Sequence, residues 1–262
     1  MIVAAGQARA VAGDLAANAA TAARLTRLAG SQGAAVLVLP EAFLTGYDDA
    51  VFAGPLPTLD SLAGVLDPLR LAAGETGTTV VVGAALQREE HRTLSSVVVR
   101  PDGSVMAPYD KQHLDGLERA YFTVGDHGAS LVVDGLELGL SICYDGCFPE
   151  HARAAADDGA VAYLNSMAYF PGGAHRRDLY YAARALDNGF YVVVSGLTGT
   201  CGTSSFIGGS AVYDPEGRPL ARLGEEEGVA IAELDPDLVA ETRARHTMHA
   251  DHRADLGPRV RV

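Results

Sequence analysis

Short unbroken apolar runs alternate with amphipathic stretches along the whole chain. Runs at 1–8, Ala34–Leu39, Thr78–Gly83, Val161–Asn165, Tyr191–Ser195 and Val229–Leu234 read as strands; Ala34–Leu39 is too short for a helix and reads as buried on both faces, and Thr78–Gly83 and Val161–Asn165 read as further buried strands. Between them the spacing changes to helical. Asp14 is placed to cap a helix over 15–29, with Ala22, Leu25 and Ala29 on one face. Residues 58–76 read as helical, split at Asp67-Pro68, where a cap precedes a proline at the first helical position. Further helices are predicted over about 149–158, over 175–188 with Leu179, Ala182, Ala183 and Leu186 as the apolar stripe, and from Asp237 to about His246. Pro101-Asp102-Gly103 and Asp214-Pro215-Glu216-Gly217 each sit between short apolar segments and predict two hairpins.

This alternation predicts an α/β protein. Strand, helix, strand and hairpin recur in the same order in both parts of the chain, which predicts two similar halves, each with its own sheet. No linker interrupts the middle, so residues 1–262 read as one domain, with a polar tail from about 249.

Composition narrows the function. Apolar residues make up 48% of the chain, ample for a large core, and the net charge of −13 disfavours nucleic acid or an anionic membrane as a partner. Three cysteines in 262 residues are no disulfide framework. The first residues lack the basic start of a leader, and no apolar run nears the ~20 residues that span a bilayer, so a soluble cytoplasmic protein is the expectation. The spacing His246-x-x-His249-x-x-His252 lacks an acidic or cysteine partner and reads as a polar tail. No metal and no organic cofactor is expected.

Candidate chemistry gathers where apolar runs end. Leu136–Ile142 stops at Cys143, and Tyr144-Asp145-Gly146 turns toward a helix opened by Phe148-Pro149-Glu150. Backbone amides of such a turn point toward the sulfur, a setting that lowers a thiol pKa. On this segment alone an inert buried cysteine fits equally well. Glu41 follows Leu-Val-Leu-Pro, and Lys111 lies just past the first hairpin. Taken singly they are a loop carboxylate and a surface charge. Together the three form a device: a carboxylate removes the thiol proton and later returns one to a leaving amine, while an ammonium and a backbone N–H hold a tetrahedral oxyanion.

Three blocks of sequence then resemble the signatures of the nitrilase superfamily of carbon–nitrogen hydrolases. They are Leu39-Pro40-Glu41-Ala42-Phe43, Tyr109-Asp110-Lys111-Gln112-His113-Leu114, and Ile142-Cys143-Tyr144-Asp145 with Phe148-Pro149-Glu150. Gln7, Asp14 and Asn18 resemble the family's opening block, Arg184, Ala185 and Asn188 its later helix, and Asp251, Arg253, Asp255 and Leu256 its closing segment. The resemblance implies an α-β-β-α sandwich assembled into dimers or larger homo-oligomers. It also implies Glu41 as general base and acid, Lys111 as oxyanion stabiliser, Cys143 as nucleophile, Glu118 as the residue that positions lysine and substrate, and the Tyr144 amide as the second oxyanion donor. Tyr47, Asn165, Ser166 and Met167 follow strand ends near the expected site and are the candidates for the substrate wall.

Tyr-Asp after the cysteine, and the absence of tryptophan, resemble amidase-type branches. The implied activity is hydrolysis of a small linear amide to acid and ammonia through a thioester, with no cofactor. Hydrolysis of an N-carbamoyl amine, acyl transfer through the same thioester, and a non-catalytic scaffold are the alternatives. Cys147 is expected in core packing, Cys201 in a flexible Gly-Thr-Cys-Gly loop, and His113 in a structural role.

Overall fold

The computed structural model describes residues 1–253 and 255–262, apart from the side chain of His249. The apolar runs pair into two six-stranded sheets. The first takes β1 (Ile2–Gln7), β2 (Val36–Val38), β3 (Thr79–Gln87), β4 (Arg92–Val99) and β5 (Val105–Asp110). The second takes β6 (Ser130–Val133), β7 (Leu136–Ile142), β8 (Ala162–Met167) and β9 (Tyr191–Gly196). After a separate ribbon of β10 (Thr198–Cys201) and β11 (Ser204–Ile207), it is completed by β12 (Ala211–Tyr213) and β13 (Pro219–Arg222). The final strand, β14 (Gly228–Glu233), returns to the first sheet beside β1. The strand orders are β14-β1-β2-β3-β4-β5 and β13-β12-β9-β8-β7-β6. In each sheet three central strands run parallel, β1-β2-β3 and β7-β8-β9, and antiparallel strands extend both edges. The two similar halves read from the sequence are present.

Strand alternation sorts the core. Ala4, Leu37, Leu39, Val80 and Val82 face α1 (Leu15–Gly30) and join Ala22, Leu25 and Ala29 in one apolar cluster. The intervening Val3, Ala5, Val36, Val38 and Val81 join a second cluster with Leu138, Leu140 and Val192–Val194 of the other sheet. Helices cover both outer faces: α1 and α3 (Asp67–Thr76) on the first sheet, α4 (Pro149–Asp157) and α5 (Ala174–Asn188) on the second, giving four layers. Each fully buried valine or leucine in these layers is worth roughly 1.5–3 kcal/mol. The helix starts at Asp67-Pro68, but Leu66 and not Asp67 is its N-cap, without a side-chain cap bond, and only a 3-10 turn at Asp60–Leu62 stands where 58–66 was expected to be helical.

Three local expectations change. A short helix, α2 (Asp49–Ala53), capped by the Asp48 carboxylate, follows the Glu41 loop without an apolar period to announce it. Cys201 lies on β10 and is buried, its ribbon tied down where the Asp48 carboxylate accepts the Thr203 N–H at 3.0 Å. On α5 the apolar stripe faces outward: Leu179 is 59% and Leu186 43% exposed, while Arg177, Tyr181, Arg184, Ala185 and Asn188 are buried. Arg177 bonds backbone carbonyls inside and Arg184 bonds Asp187, so polar residues occupy the buried face and periodicity alone gave the wrong one.

The last helix (Pro236–Arg245) is capped by Asp235 and followed by a 3-10 turn at Thr247–His249. His246 bonds Glu216 at 3.1 Å, and the side chain of His249 lies outside the described residues. No helix among the described residues is long and apolar enough to cross a membrane.

Candidate active site

Glu41, Lys111 and Cys143 come from three different strand ends and meet between the sheets. After β2, Leu39 still donates to Val81 O at 2.7 Å, then the chain folds back over β3, where Gly83 N donates to Pro40 O at 3.1 Å. A Cβ at Gly83 would lie 2.4 Å from that carbonyl and 2.7 Å from Glu41 Cα, so glycine is what lets the loop rest on the strand. Ala42, next to Glu41, is held in the left-handed region at φ 46°. Lys111 directly follows β5, with its N–H on Leu94 O and its carbonyl accepting Gly125 N–H, both at 2.8 Å. Cys143 follows β7 and opens a 3-10 turn over Cys143–Cys147 at φ 43°. For residues other than glycine such φ values cost of order 1–3 kcal/mol and gather at functional sites.

The Lys111 ammonium is buried and lies 2.7 Å from Glu41 Oε1 and 2.7 Å from both oxygens of Glu118. Tyr47 donates its hydroxyl to Glu118 Oε1 at 2.8 Å, and Asp115 N–H donates to Oε2 at 2.8 Å. Two carboxylates therefore share one cation. Burial is the largest influence on Glu41; with the Glu118 charge, and against the pull of Lys111, it lifts the carboxyl to about 8. Burial opposes the Lys111 ammonium, but Glu41 and Glu118 hold its pKa well above the usual value. Among the described residues Glu41 Oε2 has no hydrogen-bond partner.

The Cys143 thiol is pushed up by burial and by Glu41, and Lys111 offsets only part of this. This corrects the sequence expectation of a depressed thiol pKa. The turn amides are present, but removal from water dominates, and the sulfur donates toward Ala168 O at 3.7 Å. A protonated thiol requires a base beside it, and after burial the Glu41 charge is the largest influence on the Cys143 thiol.

Asp145, two residues on, is a second buried carboxylate with the opposite character. It accepts the N–H groups of Ile142 at 3.0 Å and His113 at 2.9 Å, the His113 Nδ1 at 2.9 Å and the Tyr109 hydroxyl at 2.6 Å. Burial alone would raise its pKa; the bonds from His113 and Tyr109 and the charge of nearby His151 outweigh it and hold it below the usual carboxylate range. Tyr109 and Tyr163 bracket the His151 ring, each at 2.8 Å. His113 stacks on Phe148, with centroids 3.9 Å apart. This network ties the strand that carries Lys111 to the turn that carries Cys143.

A cavity of about 330 Å³ opens beside the sulfur, lined among others by Tyr47, Glu118, Cys143, Tyr144, Tyr169 and Arg176. Of the candidate substrate-wall and oxyanion residues, Tyr47 and Tyr144 lie on this cavity. Asn165, Ser166 and Met167 do not line it. They are buried in β8, where Asn165 donates to Ser141 Oγ and accepts the Tyr181 hydroxyl, both at 2.8 Å. Tyr181 also donates to Cys143 O at 3.3 Å, so this trio supports the turn from below. The wall starts one residue later, with Ala168, Tyr169 and Phe170. Cys147 lines the cavity too, its sulfur 3.8 Å from the Tyr169 hydroxyl, and not the core as expected. The strand-end rule found the right crossover but stopped inside the sheet, and Arg176, on the first turn of α5, gave no signal beyond a charge in a helix.

Residues 2–244 match the Carbon-nitrogen hydrolase family. The chain is 33% identical over 235 residues to 2-oxoglutaramate amidase of Bacillus subtilis, covering 86% of this chain and 88% of that protein. It is 33% identical over 254 residues to deaminated glutathione amidase of Escherichia coli O157:H7, covering 94% of each. A solved amidase of Nesterenkonia sp. AN1, with an acetamide group attached at its active-site cysteine, superposes with a TM-score of 0.83 at 30% identity over 96% of each chain.

Proposed function

The chain belongs to the carbon–nitrogen hydrolase family, and we propose that it is an amidase that converts a small linear amide to acid and ammonia through a thioester on Cys143. The observation that carries this reading is a buried ammonium shared by two carboxylates beside a cavity that the sulfur lines. Cys143 Sγ attacks the amide carbon while Glu41 takes the thiol proton. Lys111 and the Tyr144 N–H hold the oxyanion; one such donor is worth ~3–4 kcal/mol of barrier. Collapse of the intermediate breaks the C–N bond, and Glu41 returns the proton to the departing ammonia. Water, deprotonated by Glu41, then attacks the thioester, giving the acid and restoring the thiol. A carboxyl lifted to about 8 is suited to both duties near neutral pH. Glu118, bonded to Lys111 and Tyr47, fixes where the ammonium points.

Ammonia release from a panel of amides, nitriles and ureido compounds, with Cys143→Ala alongside, tests the reading. Turnover of short amides that vanishes in the variant supports it. Turnover retained without the thiol sinks the mechanism, and a preference for ureido compounds makes the protein an N-carbamoyl amine hydrolase. Added hydroxylamine that captures most of the acyl group would mark a transferase.

The second part of the proposal is assembly. The outward stripe of Leu179 and Leu186 on α5 supports a homodimer formed through that helix layer. Sedimentation of wild type against Leu179→Glu/Leu186→Glu reads this: an assembly that becomes a folded monomer in the variant is expected, and a wild-type monomer at micromolar concentration rejects it.

A further inference from the structure

One element shapes the cavity beside Cys143 without lining it. Strands β10 and β11 form a two-stranded ribbon of their own, and no described residue of it lines the cavity. Such a ribbon is marginal by itself and takes its place from what it is tied to. Two of its ties reach the cavity wall. Ile207 N–H donates to Tyr169 O at 3.1 Å, and the Phe206 ring packs on Phe170 and Tyr47, with centroids 5.2 and 5.7 Å away. From the other side Phe52, on α2, meets Tyr47 edge-on at 5.0 Å. Aromatic contacts of this kind fix the plane of a ring. The hydroxyl at the end of the Tyr47 ring is the one bonded to Glu118, which holds Lys111.

A single side chain fastens both elements that grip Tyr47. Asp48, the next residue, is buried and uses its two oxygens on different partners. Its Oδ1 accepts the Ala50 N–H at 2.9 Å and caps α2, and its Oδ2 accepts the Thr203 N–H at 3.0 Å at the tip of the ribbon. The tip is built to allow this approach. Gly202 has φ 56°, and a Cβ there would collide with the Asp48 carboxylate. We propose that Asp48 is a positioning residue of the hydrolytic site: by fastening α2 and the ribbon around Tyr47 it keeps the Tyr47 hydroxyl on Glu118, and so sets how Glu41 and Glu118 share Lys111. Small displacements of such a group change rate because the ammonium must meet the oxyanion at a fixed place. The rate effect rests on the amidase reading, while the clamp stands on the contacts alone.

Two substitutions open the clamp from opposite sides. Asp48→Asn keeps an oxygen to cap α2 but turns an amide N–H toward the Thr203 N–H. Gly202→Ala strains the same joint from the exposed ribbon tip. In both variants amide hydrogen exchange over residues 198–207, read by mass spectrometry, should quicken roughly tenfold in a protein that stays folded. The kcat for ammonia release from the amide turned over fastest should fall roughly threefold. In a Tyr47→Phe background neither substitution should cost anything further, because the hydroxyl through which Asp48 acts is already gone. Losses that multiply in the double variants, a kcat that holds while the ribbon loosens, or exchange that does not change each overturn the proposal. If the amidase reading fails, no amide is hydrolysed, and the same cycle is read as the rate of Cys143 alkylation by iodoacetamide at fixed pH. That rate should slow in each single variant, as Glu118 draws Lys111 from the thiol, and should slow no further in the double variants. Alkylation that neither Asp48→Asn nor Gly202→Ala alters refutes the assignment whatever the chemistry.

Discussion

Glu41 and Asp145 are both buried carboxylates beside the same turn, and their environments are opposite. Asp145 is saturated: four donors converge on it, and its pKa is held low. Glu41 shares one ammonium with a competing glutamate, keeps one oxygen without a partner, and is lifted to about 8. A carboxylate whose bonds are complete has no capacity left to exchange a proton at neutral pH; one left incomplete does. The contrast assigns Asp145 to holding the frame and Glu41 to moving protons, and each assignment can be broken separately.

The largest effect is expected from Glu41→Gln. Turnover should fall by ~10³-fold or more, as for the loss of a base that acts on a nucleophile, while thermal unfolding stays at or above the wild-type midpoint because a buried charge is removed. Loss of both activity and fold would make Glu41 a frame residue and dissolve the contrast. The thiol also reports: Glu41 is a cause of its raised pKa, so in Glu41→Gln the pH profile of Cys143 alkylation by iodoacetamide should move to lower pH.

Asp145→Asn should show the reverse balance. An amide cannot accept from four donors at once, and at least one is left facing an N–H group, a loss of ~2–4 kcal/mol measured by urea unfolding near pH 7. The sign with pH follows from the depressed pKa. The carboxylate stabilises the fold above its unfolded value of 3.8, and that contribution is lost as pH falls through the folded value. The gap between wild type and variant should therefore close below about pH 4. A gap that is constant with pH would mean that charge is not what Asp145 contributes.

Much of this contrast was legible in the sequence because backbone pattern sets the strand ends. Unbroken apolar runs end at Leu39 and Ile142, and a hairpin ends before Lys111, so three chemically capable residues had to emerge at one region of a two-sheet core. What was not legible depends on side-chain detail across the fold. The saturation of Asp145 needs Tyr109 and His113 from the other sheet's edge, and no local pattern links 109, 113 and 145. The thiol pKa was misjudged because turn amides are visible in sequence whereas depth of burial is not. The α5 face was misjudged because Arg177 bonds backbone carbonyls inside and Arg184 reaches Asp187, so polarity no longer marked the outside.

The pH dependence of rate sharpens the same point. If Glu41 must be ionised to accept the thiol proton, kcat/KM should rise about tenfold per unit below its pKa of about 8 and level off above it. A profile flat from pH 6 to 8 would show that Lys111 keeps the carboxylate ionised throughout, leaving Glu41 no more poised than Asp145.

The smallest effects come from one substitution made in both regions. Tyr47 donates to Glu118 Oε1 at 2.8 Å, and Tyr109 donates to Asp145 Oδ2 at 2.6 Å, so phenylalanine removes one hydroxyl donor from each network. Each bond is charge-assisted and worth ~1.5–3 kcal/mol gross. In Tyr47→Phe, Glu118 keeps Lys111 and the Asp115 N–H, so the fold should hold within about 1 kcal/mol, while the freed glutamate competes harder for the ammonium and kcat falls roughly fivefold. In Tyr109→Phe, Asp145 loses a donor and His151 loses a partner; stability should fall by ~1–3 kcal/mol while kcat stays within about twofold. The paired measurement is a double one, kcat by ammonia release and unfolding free energy by urea, on the same two proteins. If both variants lose rate and stability in the same proportion, the two carboxylate networks are one unit, and the division between frame and chemistry drawn from Glu41 and Asp145 does not hold.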